Sequence, residues 1–385
     1  MTLVQPSARL RRGLAAAAAV LMMGTGCAGA ERPAQGPEPG WGEALDTAIT
    51  GAMTSGRIPG AIVGVWSPDG DYVKAFGVAD TATGTPMKTD FYHRIGSVTK
   101  TFTATAVLQL AGDGKVGLDD PIDRYLDGVP DGESITVRQL AGMRSGLADY
   151  SKSDGFQAAV AANPRGDFTP QRLLDWAFAL PPSAPPGAQV QYCNTNYILL
   201  GLLVEKVTGA PLSDYLVERI FDPLGLRHSS FPTGTQFPEP HARGYTEALD
   251  GTGPPVDASG WSAGLTGAAG AMISALEDMR LWLPALASGS LLKPDLQTQR
   301  LQTLPEQGAP DDFGYGLGIF MVAGWLGHNG SVPGYQTVAV HLPERQTTLV
   351  VMINTDIAVE GRGDPSGVLA TAITEVITPG HVYRL

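Results

Sequence analysis

The sequence predicts an α+β fold, with one antiparallel sheet built from both chain ends and flanked by helices, and a mostly helical region inserted at about residues 115–260. Three observations predict it. Two strand-like segments flank a Pro-Asp-Gly turn within residues 61–77, and segments rich in Val, Ile and Gly return after residue 315. Between them, strand signals are scarce. A single sheet shared by both chain ends and covered by helices accounts for this distribution.

The N-terminal part of the pattern begins with a helix, which apolar residues at helical spacing predict over residues 41–55. Residues 61–66 and 72–77 have the composition of strands. The turn at residues 68–70 joins them, so we expect an antiparallel hairpin.

The remaining elements follow from the same two periodicities. Short helices are predicted within the inserted region, followed by strands and a closing helix near the C-terminal end. The predicted helices cover residues 136–143, 170–180, 196–208 and 367–377, and the predicted strands cover residues 316–322, 334–342 and 347–354.

A possible nucleophile stands just after the hairpin, where Ser97 and Lys100 form an S-x-x-K sequence. Phe102, Ala106 and Leu110 share one stripe of the helix that should follow. Because residues three apart on a helix are neighbours, the serine hydroxyl and the lysine amine should lie side by side. A serine needs a base to become nucleophilic, and a lysine can be that base only if its pKa falls.

The S-x-x-K sequence is weak evidence by itself. A second copy, at residues 290–293, lies between Gly289 and Pro294, where a helix should end, and we interpret it as exposed loop. For Ser97 the ordinary alternative is a helix N-cap beside a surface lysine. The choice between these interpretations depends on other motifs.

Composition and charge restrict the class of protein. The 385 residues are 43% hydrophobic, which is enough for an extensive core. The formal net charge is −12, and no basic run occurs beyond the N-terminal leader. These properties argue against nucleic acid as a main partner.

The N-terminal leader predicts export. Residues 1–26 have a basic start and an apolar segment too short to span a bilayer, as in a signal peptide. Cys27 follows small residues, as at a bacterial lipoprotein processing site, so we expect a lipid anchor on the outer face of the cell membrane. Simple secretion is the alternative. Residues 27–40, rich in Pro, Gly and Ala, would be a flexible tether, and residues 41–385 the folded domain. With Cys27 lipidated, Cys193 has no partner, and no disulfide is expected.

Two further motifs bear on Ser97. Tyr192 and Asn194 form the chain's single Y-x-N sequence, on a loop before a helix. The Tyr192 phenol could relay a proton if the lysine ammonium lowers its pKa, and Asn194 could bind both lysine and substrate. His328 begins the single H-x-G sequence, expected between two short strands. There the Ser331 N–H could join that of Ser97 in an oxyanion hole.

Together with the Ser-Gly-Leu turn at residues 140–150, these motifs, in this order, resemble those of the class C β-lactamase and D-alanyl-D-alanine carboxypeptidase family. This family of serine hydrolases is penicillin-binding-protein-like and includes esterases. The resemblance covers about residues 41–377. It implies a serine β-lactamase/DD-peptidase-like fold and no cofactor. The six histidines also form no metal-binding pattern.

The resemblance further implies an acyl-enzyme cycle. Ser97 attacks a carbonyl, Lys100 and Tyr192 share its proton, and the N–H groups of Ser97 and Ser331 hold the oxyanion. Asn194 orients Lys100 and the substrate.

The H-x-G motif carries the remaining implied roles. His328 would line the site and support the Tyr192 relay, and Asn329 and Gly330 would contact the substrate. Asn329 departs from the small hydroxyl residue usual there. Residues 318–322 lack the arginine with which relatives grip a terminal carboxylate, which favours substrates without one.

The expected function is therefore an exported serine hydrolase that cleaves amide or ester bonds in small-molecule or peptide substrates, including peptidoglycan-derived ones, in the manner of D-alanyl-D-alanine carboxypeptidases and β-lactamases. A carboxylesterase of the same family, or a tethered penicillin-binding protein without effective turnover, are the alternatives. A competing nucleophile, Ser262 in a G-x-S-x-G sequence, lacks the preceding strand and following helix that such an elbow needs.

Overall fold

The structure is a computed structural model that describes residues 40–247, 253–306, 308–361 and 363–385. The expected signal peptide, Cys27 and all of the tether except Gly40 lie outside the described residues. None of the described helices combines the length and the apolar character needed to cross a bilayer.

Helices and strands follow one another in the order that the sequence analysis predicts, with additional short elements. The α-helices are α1 (Gly42–Gly56), α2 (Thr99–Gly112), α3 (Val137–Ala141), α4 (Asp154–Ala162), α5 (Pro170–Phe178), α6 (Asn194–Thr208), α7 (Leu212–Leu216), α8 (Asp222–Leu224), α9 (Leu276–Ser288), α10 (Pro294–Arg300) and α11 (Pro365–Ile377). The strands are β1 (Gly60–Ser67), β2 (Gly70–Asp80), β3 (Thr85–Pro86), β4 (His93–Arg94), β5 (Tyr245–Thr246), β6 (Val256–Asp257), β7 (Ile273–Ser274), β8 (Phe313–Tyr315), β9 (Phe320–Val322), β10 (Trp325–Val332), β11 (Tyr335–Leu342) and β12 (Thr347–Ile353).

The main sheet joins the two chain ends, as predicted. Its eight strands run in the order β3-β2-β1-β12-β11-β10-β9-β8. The junction is the antiparallel pairing of β1 with β12, in which Val63 faces Val351. Every residue of β12 is buried, so helices cover both faces of the sheet. Helix α11, which packs on α1, and helix α9 both contact the central strands.

Helix α2 differs from the one-sided helix that the sequence predicts, because every residue from Thr99 to Leu110 is buried. A helix surrounded on all sides needs apolar or internally bonded side chains throughout. Phe102 stacks on Trp282 with ring centroids 3.9 Å apart, and the Trp282 indole N–H donates to Thr101 Oγ1 at 2.9 Å. The helix that follows Ser97 is therefore held rigidly in the core.

The C-terminal strands correct two expectations. Of the predicted strand at 316–322, only the last three residues are a strand, β9, and residues 316–319 form the turn that joins it to β8. The H-x-G motif, expected between two strands, lies inside β10, which pairs with β9 on one side and β11 on the other. Glycines weaken an isolated strand signal, and here continuous pairing of residues 326–332 with β11 outweighs that weakness. At Gly327 a side chain would overlap the Ala339 carbonyl oxygen, so only glycine fits.

The region between β2 and β7 contains most of the short helices, as the helical insertion predicts. Helices α4, α7, α8, α9 and α10 have no counterpart among the helices predicted from the sequence. Helix α3 begins with a capping box in which the Thr136 side chain accepts from the Gln139 N–H and the Gln139 side chain accepts in return.

Candidate active site

Ser97 lies on a short 3-10 helix, Gly96–Val98, that leads directly into α2. Gly96 has a φ of +53°, a left-handed conformation that lets the chain turn sharply into the helix. Lys100 follows in the first turn of α2, and its Nζ atom lies 3.0 Å from Ser97 Oγ. The neighbouring hydroxyl and amine expected from the S-x-x-K spacing are present.

The Lys100 amine is completely buried and has three polar neighbours. Besides Ser97, it contacts Asn194 Oδ1 and the Ala269 carbonyl oxygen, both at 2.8 Å. Burial lowers the pKa of Lys100 to about 7, although the nearby carboxylate of Asp149 opposes the change. A neutral amine can donate to the two carbonyl-type oxygens and accept the proton of the Ser97 hydroxyl.

Tyr192 lies beside this pair, with its ring centroid 4.8 Å from Lys100 Nζ. The structure corrects the expectation that a lysine ammonium lowers the pKa of this phenol. Burial raises the pKa of Tyr192, and hydrogen bonding with Ser97 opposes the rise only in part. The Lys100 amine lies over the face of the Tyr192 ring, and near pH 7 about half of it is neutral. It therefore gives little stabilisation to a phenolate, and Tyr192 keeps its proton.

Asn194 is the first residue of α6, and its orientation depends on Asp149. The Asn194 main-chain and side-chain N–H groups both donate to Asp149 Oδ2, at 2.9 and 3.0 Å. Its side-chain oxygen is thereby turned toward Lys100. Asp149 belongs to the Ser-Gly-Leu segment at residues 140–150, but the sequence analysis gave it no role, because its partner is 45 residues away in the chain.

His328 on β10 is buried and neutral, since burial lowers its pKa to about 3. Its Nδ1–H donates to the Asn329 carbonyl oxygen, so its Nε2 accepts from the Tyr315 hydroxyl at 3.1 Å. Its ring centroid is 6.1 Å from that of Tyr192. The expected support of Tyr192 by His328 is therefore a packing contact, and Tyr315, which the sequence analysis missed, is the hydrogen-bond partner of His328.

Glycine allows β10 to approach the Ser97 turn closely. A Cβ atom on Gly330 would overlap the Ile95 carbonyl oxygen and come within 2.9 Å of the Ser97 amide nitrogen. A Cβ atom on Gly96 would lie 2.8 Å from the Ser331 amide nitrogen. The main-chain amides of Ser97 and Ser331 therefore meet at one junction, as an oxyanion hole requires.

A cavity of about 670 Å³ opens beside these groups. Six of the eight predicted catalytic and substrate-binding residues line it, whereas Gly330 and the buried Lys100 do not. Much of the remaining wall is aromatic or aliphatic, including Phe156, Trp261, Leu265, Phe313 and Phe320. Within the described part of the chain no Lys or Arg side chain lines it, and Glu306 is its one acidic side chain.

Comparison with known proteins decides the family. The Beta-lactamase family model matches residues 45–372. This chain belongs to the Beta-lactamase family. Its relatives include a D-aminopeptidase of Cereibacter sphaeroides, 31% identical over 346 residues, and penicillin-binding protein 4 of Amycolatopsis lactamdurans, 35% identical over 196 residues. The match to the D-aminopeptidase covers 86% of this chain and 63% of that protein. The match to penicillin-binding protein 4 covers 49% of this chain and 48% of that protein.

Solved structures of this family extend the likeness to the fold. A D-stereospecific amidohydrolase from Streptomyces sp. is 31% identical, with a TM-score of 0.79 over 88% of this chain and 99% of the other. D-amino acid amidase from Ochrobactrum anthropi SV3, solved with D-phenylalanine, is 29% identical, with a TM-score of 0.76. The match covers 87% of this chain and 99% of the amidase. The predicted family and α+β fold are confirmed, and the protein is a serine hydrolase.

The competing serine of this Beta-lactamase family member has a structural role. Ser262 is buried, follows loop rather than a strand, and caps the 3-10 helix Ala263–Leu265 by accepting from the Gly264 N–H at 3.3 Å. The second S-x-x-K copy is partly exposed, and its Lys293 amine donates to the Gly112 carbonyl oxygen. Among the described contacts, neither Ser262 nor Ser290 is paired with a buried lysine as Ser97 is.

Among the residues that the structure describes, no group of three or more His, Cys, Asp or Glu side chains is arranged to hold a metal ion. Cys193 is buried as a free thiol next to Asn194, and burial raises its pKa to about 11. It is therefore a protonated, unreactive thiol at neutral pH.

Proposed function

We propose that this protein is an amidohydrolase that cleaves small amides or peptides at a D-amino acid residue through an acyl-enzyme formed on Ser97. One observation carries the proposal: the buried amine of Lys100, with its pKa near 7, lies 3.0 Å from the Ser97 hydroxyl. A base of this pKa is half neutral at physiological pH and can accept a proton from the nucleophile.

Acylation begins when the neutral Lys100 amine takes the Ser97 proton as Oγ attacks the substrate carbonyl carbon. The carbonyl electron pair moves to oxygen, and the N–H groups of Ser97 and Ser331 stabilise the resulting oxyanion. When the oxyanion collapses, the carbon–nitrogen bond breaks. The Tyr192 phenol protonates the departing nitrogen and recovers a proton from the Lys100 ammonium. The raised pKa of Tyr192 supports this role, because the phenol is protonated when the leaving group needs it.

Deacylation reverses these proton movements. Water attacks the ester carbonyl, its proton passes to the Lys100–Tyr192 pair, and collapse of the second oxyanion returns a proton to Ser97 Oγ. The products are a carboxylic acid and an amine. Throughout, Asp149 holds Asn194 and Asn194 holds Lys100, so the base stays in place.

The relatives support the choice of substrate class. Both the D-aminopeptidase of Cereibacter sphaeroides and the D-amino acid amidase of Ochrobactrum anthropi SV3 have names that denote hydrolysis at D-amino acids. The chain spans about 63% of the length of the curated D-aminopeptidase. The apolar cavity suits a hydrophobic side chain. A D-alanyl-D-alanine carboxypeptidase or β-lactamase activity would need a partner for a substrate carboxylate, and no cationic side chain among the described lining residues offers one.

A substrate panel tests the proposal. We expect D-phenylalanine amide to be hydrolysed in preference to L-phenylalanine amide, a D-Ala-D-Ala peptide and a chromogenic cephalosporin, while a p-nitrophenyl ester reports any esterase activity. A penicillin label that persists without turnover of any substrate would instead favour a penicillin-binding protein. Preference for the L-amide would refute the assigned stereochemistry.

Labelling with a fluorophosphonate tests the nucleophile separately. We expect modification at Ser97 that Ser97→Ala abolishes and Ser262→Ala leaves intact, with mass spectrometry locating the label. Ser262→Ala is the matched control, because it removes a hydroxyl of the second candidate motif. Loss of the label in Ser262→Ala alone would transfer the role to Ser262.

We also propose that the protein is exported and anchored by lipid on Cys27, which the leader sequence of residues 1–26 supports. Its substrates would then be small peptides outside the cell, including peptidoglycan fragments. Cys27→Ala protein should leave the membrane fraction for the soluble one while Ser97-dependent activity is retained. Unchanged membrane partition would contradict the anchor.

A further inference from the structure

One acidic side chain in the cavity has no role in the proton transfers. Glu306 follows α10, and its backbone forms a parallel bridge with Val190, just before the Tyr192 segment. The Tyr192 main-chain N–H donates to Glu306 Oε1 at 3.2 Å. The carboxylate is therefore half-buried and held beside the candidate catalytic tyrosine.

Within the described residues, the surroundings of Glu306 provide no counterion for its charge. Among the described residues no Lys, Arg or His forms an ion pair with it, and no cationic side chain lines the cavity. Lys100 lies behind the wall and is engaged by Ser97, Asn194 and Ala269. Burial raises the pKa of the Tyr192 and Tyr315 phenols, and the charge of the Glu306 carboxylate acts in the same direction.

We infer that Glu306 binds the α-ammonium group of the substrate and so selects amides of amino acids, or peptides, with a free amino terminus. This inference rests on the proposed amidohydrolase function and adds the residue that determines recognition. A charge-assisted hydrogen bond from an ammonium to a partly buried carboxylate is stronger than a neutral one. The same carboxylate repels substrates that present a carboxylate at this place, as β-lactams would.

Glu306→Gln is the informative change. Glutamine keeps a side-chain oxygen that can accept from the Tyr192 N–H, so the local structure survives while the charge is lost. Asp311→Asn is the matched control, since Asp311 is exposed on the same segment and does not line the cavity. Both changes remove one negative charge from the protein.

Binding is measured on Ser97→Ala protein, in which the proposed reaction cannot begin. The probes are D-phenylalanine amide and 3-phenylpropanamide, which differ only in the amino group, titrated by NMR. We expect the parent protein to bind D-phenylalanine amide more tightly, and Glu306→Gln to weaken that binding about tenfold. Binding of 3-phenylpropanamide should change less than about twofold, and Asp311→Asn should affect neither probe.

The pH dependence separates charge recognition from a structural role. An α-ammonium loses its proton near pH 7.7–8.0, so the preference for D-phenylalanine amide should disappear by about pH 9.5 in the parent and be absent at every pH in Glu306→Gln. The ratio of the two affinities cancels titration of the protein's own groups. Equal binding of both probes by the parent, or an unchanged ratio in Glu306→Gln, overturns the inference. Loss of the proposed function would appear separately, as activity that persists after Ser97→Ala.

Discussion

The Lys100 amine determines the pH at which the enzyme should begin to work. Acylation requires this amine in its neutral form, because only a free electron pair can accept the Ser97 proton. Burial without a directly paired carboxylate lowers the pKa of Lys100 from 10.5 to about 7. We therefore expect kcat/KM to rise with pH through the neutral range and to level off above it.

The size of the effect follows from the fraction of neutral amine. With a pKa near 7, about 1% of Lys100 is neutral at pH 5 and about 90% at pH 8, so kcat/KM should increase roughly 90-fold. A lysine that kept the ordinary value of 10.5 would be only about 0.3% neutral at pH 8, and the rate would still climb tenfold per pH unit. The two cases differ most between pH 8 and 10.

The assay is initial-rate hydrolysis of 3-phenylpropanamide, a substrate with no amino group to titrate, from pH 5 to 10, with folding checked at each pH by circular dichroism. Asp149→Asn provides an internal test, because the Asp149 charge raises the pKa of Lys100 and its removal should move the midpoint to lower pH. Lys100→Ala should lose about 10²–10⁴-fold in kcat/KM while remaining folded. A midpoint above pH 9, or wild-type turnover in Lys100→Ala, would refute the assignment of Lys100 as base.

Three further outcomes follow from the same geometry. Gly330→Ala places a methyl group against the Ile95 carbonyl oxygen and the Ser97 amide, so kcat should fall about 10²-fold with little change in KM, measured by steady-state kinetics. The free energy of unfolding of the wild type should rise from about pH 7 to 9, because the unfolded chain binds the Lys100 proton that the folded one has released. In Lys100→Met, urea titrations should show that rise abolished, and a persisting rise would assign it to another group. Trp282→Phe removes the hydrogen bond to Thr101 and should cost about 1 kcal/mol in urea unfolding while activity is retained, whereas a large loss of activity would contradict its purely structural role.

Local patterns in the sequence predict much of the fold and the pairing of the Ser97 hydroxyl with the Lys100 amine. The hairpin of β1 and β2 follows from a turn between two strand-like segments, and the S-x-x-K spacing predicts adjacent Ser97 and Lys100 side chains from helix geometry alone. Both structures depend on residues close together in the chain. The order of the three motifs then indicated the family, which the match to residues 45–372 confirms.

The strand that contains the H-x-G motif shows where local signals fail. Gly327 and Gly330 weaken strand propensity, yet the segment lies within β10 because β11 pairs with it over residues 326–332, whereas β9 reaches only residues 325–327. Gly330 also lets the strand approach the Ser97 turn, and Gly327 leaves room for the Ala339 carbonyl oxygen of β11. A sequence pattern shows that the segment has low strand propensity, but it does not show which strand will pair with it.

The sequence by itself determined which groups can do chemistry: a hydroxyl, an amine, a phenol, an amide and an imidazole in a fixed order along the chain. Only the tertiary structure decided their states. Burial of Lys100 makes it a base, burial of Tyr192 keeps it an acid, and Asp149 and Tyr315 orient Asn194 and His328 from distant segments. The physical reason is that proton affinity depends on desolvation and on nearby charges, and both arise only when remote parts of the chain pack together.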